Sequence, residues 1–148
     1  MADVKKIVPG NVEGEFFVDK TCINCDTCRQ LAPHCFVDGG EYSRVYKQPQ
    51  GKQARIEATE ALLACPTGSI GSRLPKTLVK EATQNFPKII EDNVYYCGFN
   101  SAKSYGGNSF LIVDPAGNWL IDSPRFNRHL VERFGSLGGL KYIFLTHE

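Results

Sequence analysis

Cys22-Ile-Asn-Cys25-Asp-Thr-Cys28 decides how the first half of this 148-residue chain can fold, together with the Cys65-Pro66 pair far downstream. Three cysteines separated by two residues each fit on one tight loop, which can direct three thiolates to three corners of a cubane iron–sulfur cluster. A distant Cys-Pro supplies the fourth thiolate in this pattern. The spacing therefore predicts one [4Fe-4S] cluster, with these metal and cofactor ligands: Cys22, Cys25, Cys28 and Cys65.

Two other interpretations of the four cysteines compete with the cluster. Structural zinc usually takes two separated C-x2-C pairs rather than three ligands on one loop. Disulfides between cysteines so close together on a tight loop have poor geometry. The start of the chain, Met1-Ala-Asp-Val-Lys-Lys, lacks the apolar core of a secretory signal. We therefore expect a reducing, cytoplasmic compartment and metal ligation, with a zinc-binding interaction module as an alternative.

The other two cysteines carry no ligand pattern. Cys35 and Cys97 are predicted to be buried small hydrophobic residues. For Cys35, seven residues past Cys28, the alternative is a spare ligand or a redox-active thiol near the cluster. His34 is expected to be a surface or capping residue. No residue of the chain is assigned a catalytic role.

Composition excludes two classes of partner. The chain holds 17 Lys and Arg against 16 Asp and Glu, so no basic face for nucleic acid is indicated. Its apolar runs fall short of the roughly 20 residues that a membrane helix needs. Hydrophobic residues make up 42% of the chain, which is typical of a soluble globular protein.

Hydrophobic patterning around the cysteines predicts strand, short helix, two strands, helix and strand. Pro33 limits the first helix, and Gly39-Gly40 suits the turn of a hairpin between the two middle strands. The second helix shows apolar residues at helical spacing and ends at Pro66. The predicted elements are a strand at 15–19, a helix at 29–31, a hairpin at 36–46, a helix at 53–64 and a closing strand that starts within 67–70.

Over about residues 15–72 the sequence resembles the bacterial-type ferredoxin family. Two-cluster members carry C-x2-C-x2-C-x3-C-P twice, and each Cys-Pro serves the cluster of the other motif. Here Ala32-Pro33 stands where the first Cys-Pro would be, and no cysteine triplet precedes Cys65-Pro66. The chain thus resembles single-cluster ferredoxins. This resemblance implies a βαββαβ fold, one-electron transfer, a redox protein as donor or acceptor, and a cluster that oxidation could convert to [3Fe-4S].

The second half becomes rich in aromatic and β-branched residues. Residues 76–90 are predicted to be a connector with about two helical turns. Asp114-Pro-Ala-Gly117 has the chemistry of a hairpin turn, and Ser123-Pro124 suits the start of a helix. The predicted elements are a strand at 93–99, hairpin strands at 108–113 and 118–122, a helix at 125–134 and a strand at 141–146.

From about Asn93 this pattern resembles the opening of the metallo-β-lactamase-fold family. In that family a Thr-His pair after such a strand opens the metal motif H-x-H-x-D-H, and His147 matches its first histidine. A lone histidine cannot hold zinc or a di-iron pair, which need at least three protein ligands. We therefore expect this half to be the start of a truncated domain from a longer protein. The alternative is a hairpin and helix that simply pack on the ferredoxin part.

The predicted fold class is α+β, a ferredoxin-like βαββαβ domain followed by a partial αβ, metallo-β-lactamase-like segment. The predicted limits are 1–72 for the iron–sulfur domain, 73–92 for a linker and 93–148 for the fragment. The predicted function is electron transfer through one [4Fe-4S] cluster at the front of a fusion protein. The alternative is a metal-dependent hydrolase with a structural or redox-sensing cluster. Hydrolase or oxidoreductase activity, and zinc or iron at a second site, would then belong only to a longer parent that supplies the missing remainder of the domain.

Overall fold

The computed structural model describes residues 2–73 and 75–147. The chain divides into two compact units, Met1–Ala82 and Thr83–Glu148. The first unit contains all four cysteines of the predicted cluster site. The domain limits that the sequence suggests, 1–72, 73–92 and 93–148, stay a prediction.

The first unit follows the predicted order of elements. β1 and β4 pair antiparallel, with Phe17 opposite Gly71, and β2 and β3 form an antiparallel hairpin. The bounds are β1 (Phe16–Val18), α1 (Thr27–Leu31), β2 (Phe36–Asp38), β3 (Ser43–Val45), α2 (Gly51–Ala64) and β4 (Ile70–Ser72). This mixture of helix and strand is that of a small α+β domain, and it is consistent with the predicted fold class.

The core of the first unit brings the two strand pairs together with α2. Phe16, Phe36 and Val45 are almost completely buried. Ala58 and Ala61 lie in the same cluster, and their small side chains let the helix approach the strands closely. Cys28 and Cys65 belong to this cluster too. Two of the predicted ligands are therefore held by the packed core itself.

The second unit is built on one five-stranded sheet with the order β5-β6-β7-β8-β9. Adjacent strands from β5 to β8 are antiparallel to one another, whereas β9 runs parallel to β8. The parallel pair requires a crossover connection, and α4 lies in that connection. The bounds are β6 (Val94–Tyr96), β7 (Phe110–Ile112), β8 (Trp119–Ile121), α4 (Arg128–Ser136) and β9 (Tyr142–Phe144).

The structure differs from the prediction at the start of α4 and in the segment 73–92. α4 begins at Arg128 rather than Arg125, because Asn127 caps it by accepting a hydrogen bond from the Leu130 amide. The segment predicted as a linker, 73–92, contains a helix and a strand, α3 (Lys76–Gln84) and β5 (Lys88–Glu91). β5 is an edge strand with two exposed isoleucines, so it lacks the polar and apolar alternation by which a half-buried strand is found in a sequence.

The helices of the described residues are all short. The longest is α2, with 14 residues, which corresponds to about 21 Å at 1.5 Å per residue. A bilayer core is about 30 Å thick. Within the described parts of the chain, none of the helices has the length and apolar character needed to span a membrane.

Candidate metal centre

The loop between β1 and α1 carries three of the predicted ligands. Cys22 and Cys25 are half-buried, and Cys28, in the first turn of α1, is 8% exposed. Asn24 and Asp26 both adopt left-handed backbone conformations, with φ of 54° and 70°. Asn and Asp tolerate this region better than other non-glycine residues. The two left-handed residues flank Cys25 and turn the backbone sharply within the loop.

The fourth predicted ligand, Cys65, directly follows α2. Its amide donates to the Ala61 carbonyl as the last hydrogen bond of the helix, and its side chain lies in the core with 8% exposure. Pro66 then prevents continuation of the helix. The chain turns back at once into β4. The end of α2 therefore determines where this thiol lies.

Backbone amides approach two of these sulfurs. The Asn24 amide donates to Cys22 Sγ at 3.4 Å, and the Ser69 amide donates to Cys65 Sγ at 3.3 Å. Such N–H donors stabilise negative charge on sulfur, and they help to set the potential of a bound iron–sulfur cluster. Both loops thus already present donors to their own thiol.

The other three predicted ligands act on the thiol of Cys28. Burial raises the pKa of the Cys28 thiol to about 12, and a hydrogen bond from Ser43 acts in the opposite direction. Negative charge on the other three cysteines, Cys22, Cys65 and Cys25, raises this pKa further. Four thiolates at one place repel each other, so their common ionisation requires a positively charged partner. The irons of a cluster supply such a charge, and the donor set fits that group.

A site for a single metal ion requires several ligand atoms around that one ion. Among residues 2–73 and 75–147, no group of three or more His, Cys, Asp or Glu side chains is arranged so that it could hold one metal ion. A cubane makes a different demand, because each of its four thiolates binds a different iron atom.

A buried carboxylate organises the entrance to the ligand loop. Asp19 is 1% exposed and accepts hydrogen bonds from the amides of Asp3 at 2.7 Å and Thr21 at 2.9 Å. It also accepts one from the Thr21 hydroxyl. Burial acts to raise the pKa of Asp19, but the hydrogen bonds from Thr21 and Asp3 outweigh it and hold the pKa below its ordinary value. The carboxylate therefore stays ionised at neutral pH.

A chain of hydroxyl groups connects this carboxylate with the fourth ligand. Thr21 Oγ1 lies 2.7 Å from Ser69 Oγ, which lies 2.6 Å from Thr67 Oγ1. Thr67 Oγ1 in turn lies 3.7 Å from Cys65 Sγ. The loop before Cys22 and the loop after Cys65 are thus joined by side chains. These residues were not predicted from the sequence. The sequence does contain a Thr directly before the triplet and a Thr-x-Ser directly after Cys-Pro.

The two unassigned cysteines are buried, as predicted. Cys35 and Cys97 are almost completely inaccessible, and burial raises their pKa values to about 11 and about 12. The charges that act on Cys35 come from Glu57 and Lys47 rather than from the four predicted ligands. His34 is exposed on the surface.

His147, the first histidine of the expected metal motif, lies just beyond β9. Its Nδ1 is 3.4 Å from Asp122 Oδ1. Asp122 Oδ1 accepts a hydrogen bond from the Thr146 amide at 2.8 Å, and Asp122 Oδ2 accepts one from the Thr146 hydroxyl at 2.7 Å. These two hydrogen bonds connect the end of β8 with the end of β9.

Comparison with known proteins bears on the first unit. Residues 18–72 match the family model of the 4Fe-4S single cluster domain of Ferredoxin I. The matched segment includes every predicted ligand cysteine, and the match indicates that it is an iron–sulfur cluster-binding domain. Searches of curated proteins and of solved structures found no match to the chain. The resemblance of the second half to the metallo-β-lactamase fold is not supported by these comparisons.

Proposed function

We propose that the first unit carries electrons one at a time through a single [4Fe-4S] cluster. The proposed ligands, taken from two separate segments of the chain, are Cys22, Cys25, Cys28 and Cys65. The observation that supports this proposal most directly is that Cys28 and Cys65 lie in one core cluster, with Cys22 packed against it. When bound, such a cluster accepts and releases single electrons.

The residues around the four thiols suit an electron carrier. Cys28 and Cys65 lie in the core, so the surrounding protein shields that side from solvent. Amides from both loops donate to sulfur and would stabilise negative charge there. A carrier needs a site that stays rigid while its charge changes, and the packed core provides this.

We propose that a redox protein exchanges electrons at the loop between Cys22 and Cys25. These two thiols are half-buried, whereas the other two predicted ligands are buried. Ile23 lies between them and is 49% exposed, which leaves an apolar contact at the tip of the loop. A partner that covers Ile23 would approach the site by its most accessible side. We also propose a cytoplasmic location, because cysteines stay reduced in that compartment.

Anaerobic purification of the full chain tests the proposal. We expect a brown protein that bleaches with dithionite and gives an EPR signal in the reduced state. Stoichiometric zinc in a colourless protein would refute it and would favour the zinc-binding interaction module.

A matched pair of cysteine variants tests the ligand assignment. Cys65→Ser should lose or convert the cluster, because a serine hydroxyl replaces the fourth thiolate. Cys35→Ser should leave the visible absorbance unchanged, because Cys35 is not a proposed ligand and the charges that act on its thiol come from Glu57 and Lys47. The assignment is wrong if Cys35→Ser also bleaches the protein.

We propose further that the second unit is the opening of a metallo-β-lactamase-like domain in a ferredoxin fusion protein. The exposed apolar side chains of Ile143, Phe144 and Leu145 support this, because an uncovered edge strand of this kind normally pairs with further chain. A hydrolase with a structural or redox-sensing cluster is the alternative for the fusion. In-frame coding sequence beyond residue 148 with further His and Asp ligands would support the fusion, and a stop codon there would refute it.

A further inference from the structure

One arginine binds residues of the ligand loop without being a proposed ligand. Arg29, in α1, is 19% exposed at its side chain. Its Nε donates to Asp26 Oδ1 at 2.6 Å. Its Nη1 donates to Asn24 Oδ1 at 2.6 Å and to Ser43 Oγ at 2.9 Å. A single guanidinium thus binds two residues of the loop and one residue of β3.

The two loop residues are those that need support. Asn24 and Asp26 are the left-handed residues on either side of Cys25. The left-handed conformation is unfavourable for residues other than glycine, so surrounding contacts must maintain it. The planar fork of arginine can donate in several fixed directions at once, which a lysine cannot do.

Ser43 extends the same network to a predicted ligand. Its hydroxyl donates to Asn24 Oδ1 at 3.2 Å, and it also lies near enough to the Cys28 thiol to lower its pKa. Arg29 donates to both Asn24 Oδ1 and Ser43 Oγ, so it connects the ligand loop with the strand that packs against it.

The charge of Arg29 compensates two carboxylates beside the loop. Asp26 accepts its Nε hydrogen bond, and Asp38 Oδ1 lies 3.7 Å from Nη1. Without the guanidinium, both carboxylates would be negative neighbours of four thiolates. Added negative charge disfavours reduction, because the electron itself brings further negative charge to the site.

We infer that Arg29 is a positioning residue, which holds the ligand loop in its left-handed turns and sets the electrostatic environment of the four thiols. This inference rests on the proposed function, because it assigns Arg29 a role toward the same cluster. Its two parts, geometry and charge, are separable by substitution.

Two variants of Arg29 separate the parts. Arg29→Lys keeps the charge but loses the fork, so we expect it to lose the cluster several-fold faster in the presence of a chelator, with little change in reduction potential. Arg29→Gln loses the charge as well. We expect its reduction equilibrium constant to fall at least threefold. For one electron this corresponds to a reduction potential that is more negative by about 28 mV.

Arg44→Gln is the matched control. Arg44 lies next to Ser43 on β3, and its guanidinium donates to the Gly10 carbonyl, away from the ligand loop. We expect this variant to retain the cluster and the potential of the unaltered chain. Cluster retention in Arg29→Lys equal to that of Arg44→Gln would overturn the positioning role. An unchanged potential in Arg29→Gln would overturn the electrostatic role.

A measurement on the metal-free chain keeps this inference distinct from the proposed function. If the unaltered protein binds no cluster, the proposed function fails, whereas the hold of Arg29 on the loop can still be measured by amide hydrogen exchange. We expect the Asn24, Cys25 and Asp26 amides to exchange faster in Arg29→Lys than in Arg44→Gln. Equal exchange rates in the two variants would overturn the inference by itself.

Discussion

Replacement of Asp19 by asparagine tests how the entrance of the ligand loop is stabilised. One carboxylate oxygen of Asp19 accepts from Thr21, and the other accepts from the Asp3 amide. Asparagine offers only one acceptor oxygen, and its amide nitrogen is a donor. If the oxygen stays toward Thr21, the nitrogen faces the Asp3 N–H. The opposite orientation places the nitrogen against the Thr21 N–H, so one donor must face another in either case.

The magnitude follows from burial and charge. Asp19 is 1% exposed, so water cannot replace the lost acceptor. A hydrogen bond to a charged group contributes about 1.5–3 kcal/mol, and a buried donor without a partner costs about 1–3 kcal/mol. These two figures describe the same broken contact and are not additive. We expect Asp19→Asn to lower the free energy of unfolding of the first unit by about 2–3 kcal/mol at pH 6.

The effect of pH has a definite sign. The pKa of Asp19 is lower in the folded chain than its ordinary value of about 3.9. Its stabilising contribution is therefore fully present above the unfolded pKa and is lost as the pH falls through the folded pKa. The difference between the unaltered chain and Asp19→Asn should shrink below about pH 4.

Native-state amide exchange of β1 in the metal-free, full-length chain provides the assay, because acid protonates thiolate ligands and would release a cluster. Glu41→Gln is the control, since Glu41 is exposed in the hairpin of the same unit, and we expect it to change stability by less than about 0.5 kcal/mol. No loss of stability in Asp19→Asn at pH 6 would refute the reasoning. An equal loss at pH 6 and pH 2 would show that the charge of Asp19 is not its cause.

Two further substitutions test packing and strand attachment. Gly71→Ala should destabilise the first unit by about 1–3 kcal/mol in urea unfolding, because its new Cβ would overlap the buried ring of Phe17 on the paired strand; unchanged stability would mean that this ring can move aside freely. Asp122→Ala should speed amide exchange in β9, since it removes two hydrogen bonds to Thr146, a loss of about 1–3 kcal/mol. Asp122→Asn keeps an acceptor and tolerates the left-handed backbone at this position, so it should have a smaller effect, and equal effects of the two variants would contradict this account.

The elements of the first unit were predictable because local signals there agree with each other. Pro33 and Pro66 limit the two helices, and Gly39-Gly40 marks the hairpin turn. β5 was not predictable in the same way. It is an edge strand whose isoleucines remain exposed, so only its pairing with β6 makes it a strand. Pairing between strands is a long-range property that local patterns do not contain.

The start of α4 shows the same limit on a smaller scale. Ser123-Pro124 has good chemistry for a helix start, but Asn127 makes the capping hydrogen bond. The choice among several acceptable caps depends on where the chain leaves β8 and how Leu130 packs. Leu130 is buried, and this burial favours a helix that begins close to it.

The sequence alone determined the four candidate ligands, because the spacing of cysteines is a local property that iron–sulfur chemistry constrains strongly. It also predicted a single such set in the first unit, since Ala32 occupies the place of the other Cys-Pro. Only the tertiary structure showed what surrounds the ligands. The links from Asp19 through Thr21 to Ser69, and from Arg29 to Ser43, join residues that are distant in sequence. Side-chain hydrogen bonds of this kind depend on how strands and loops pack, so they follow from the fold and not from the order of residues.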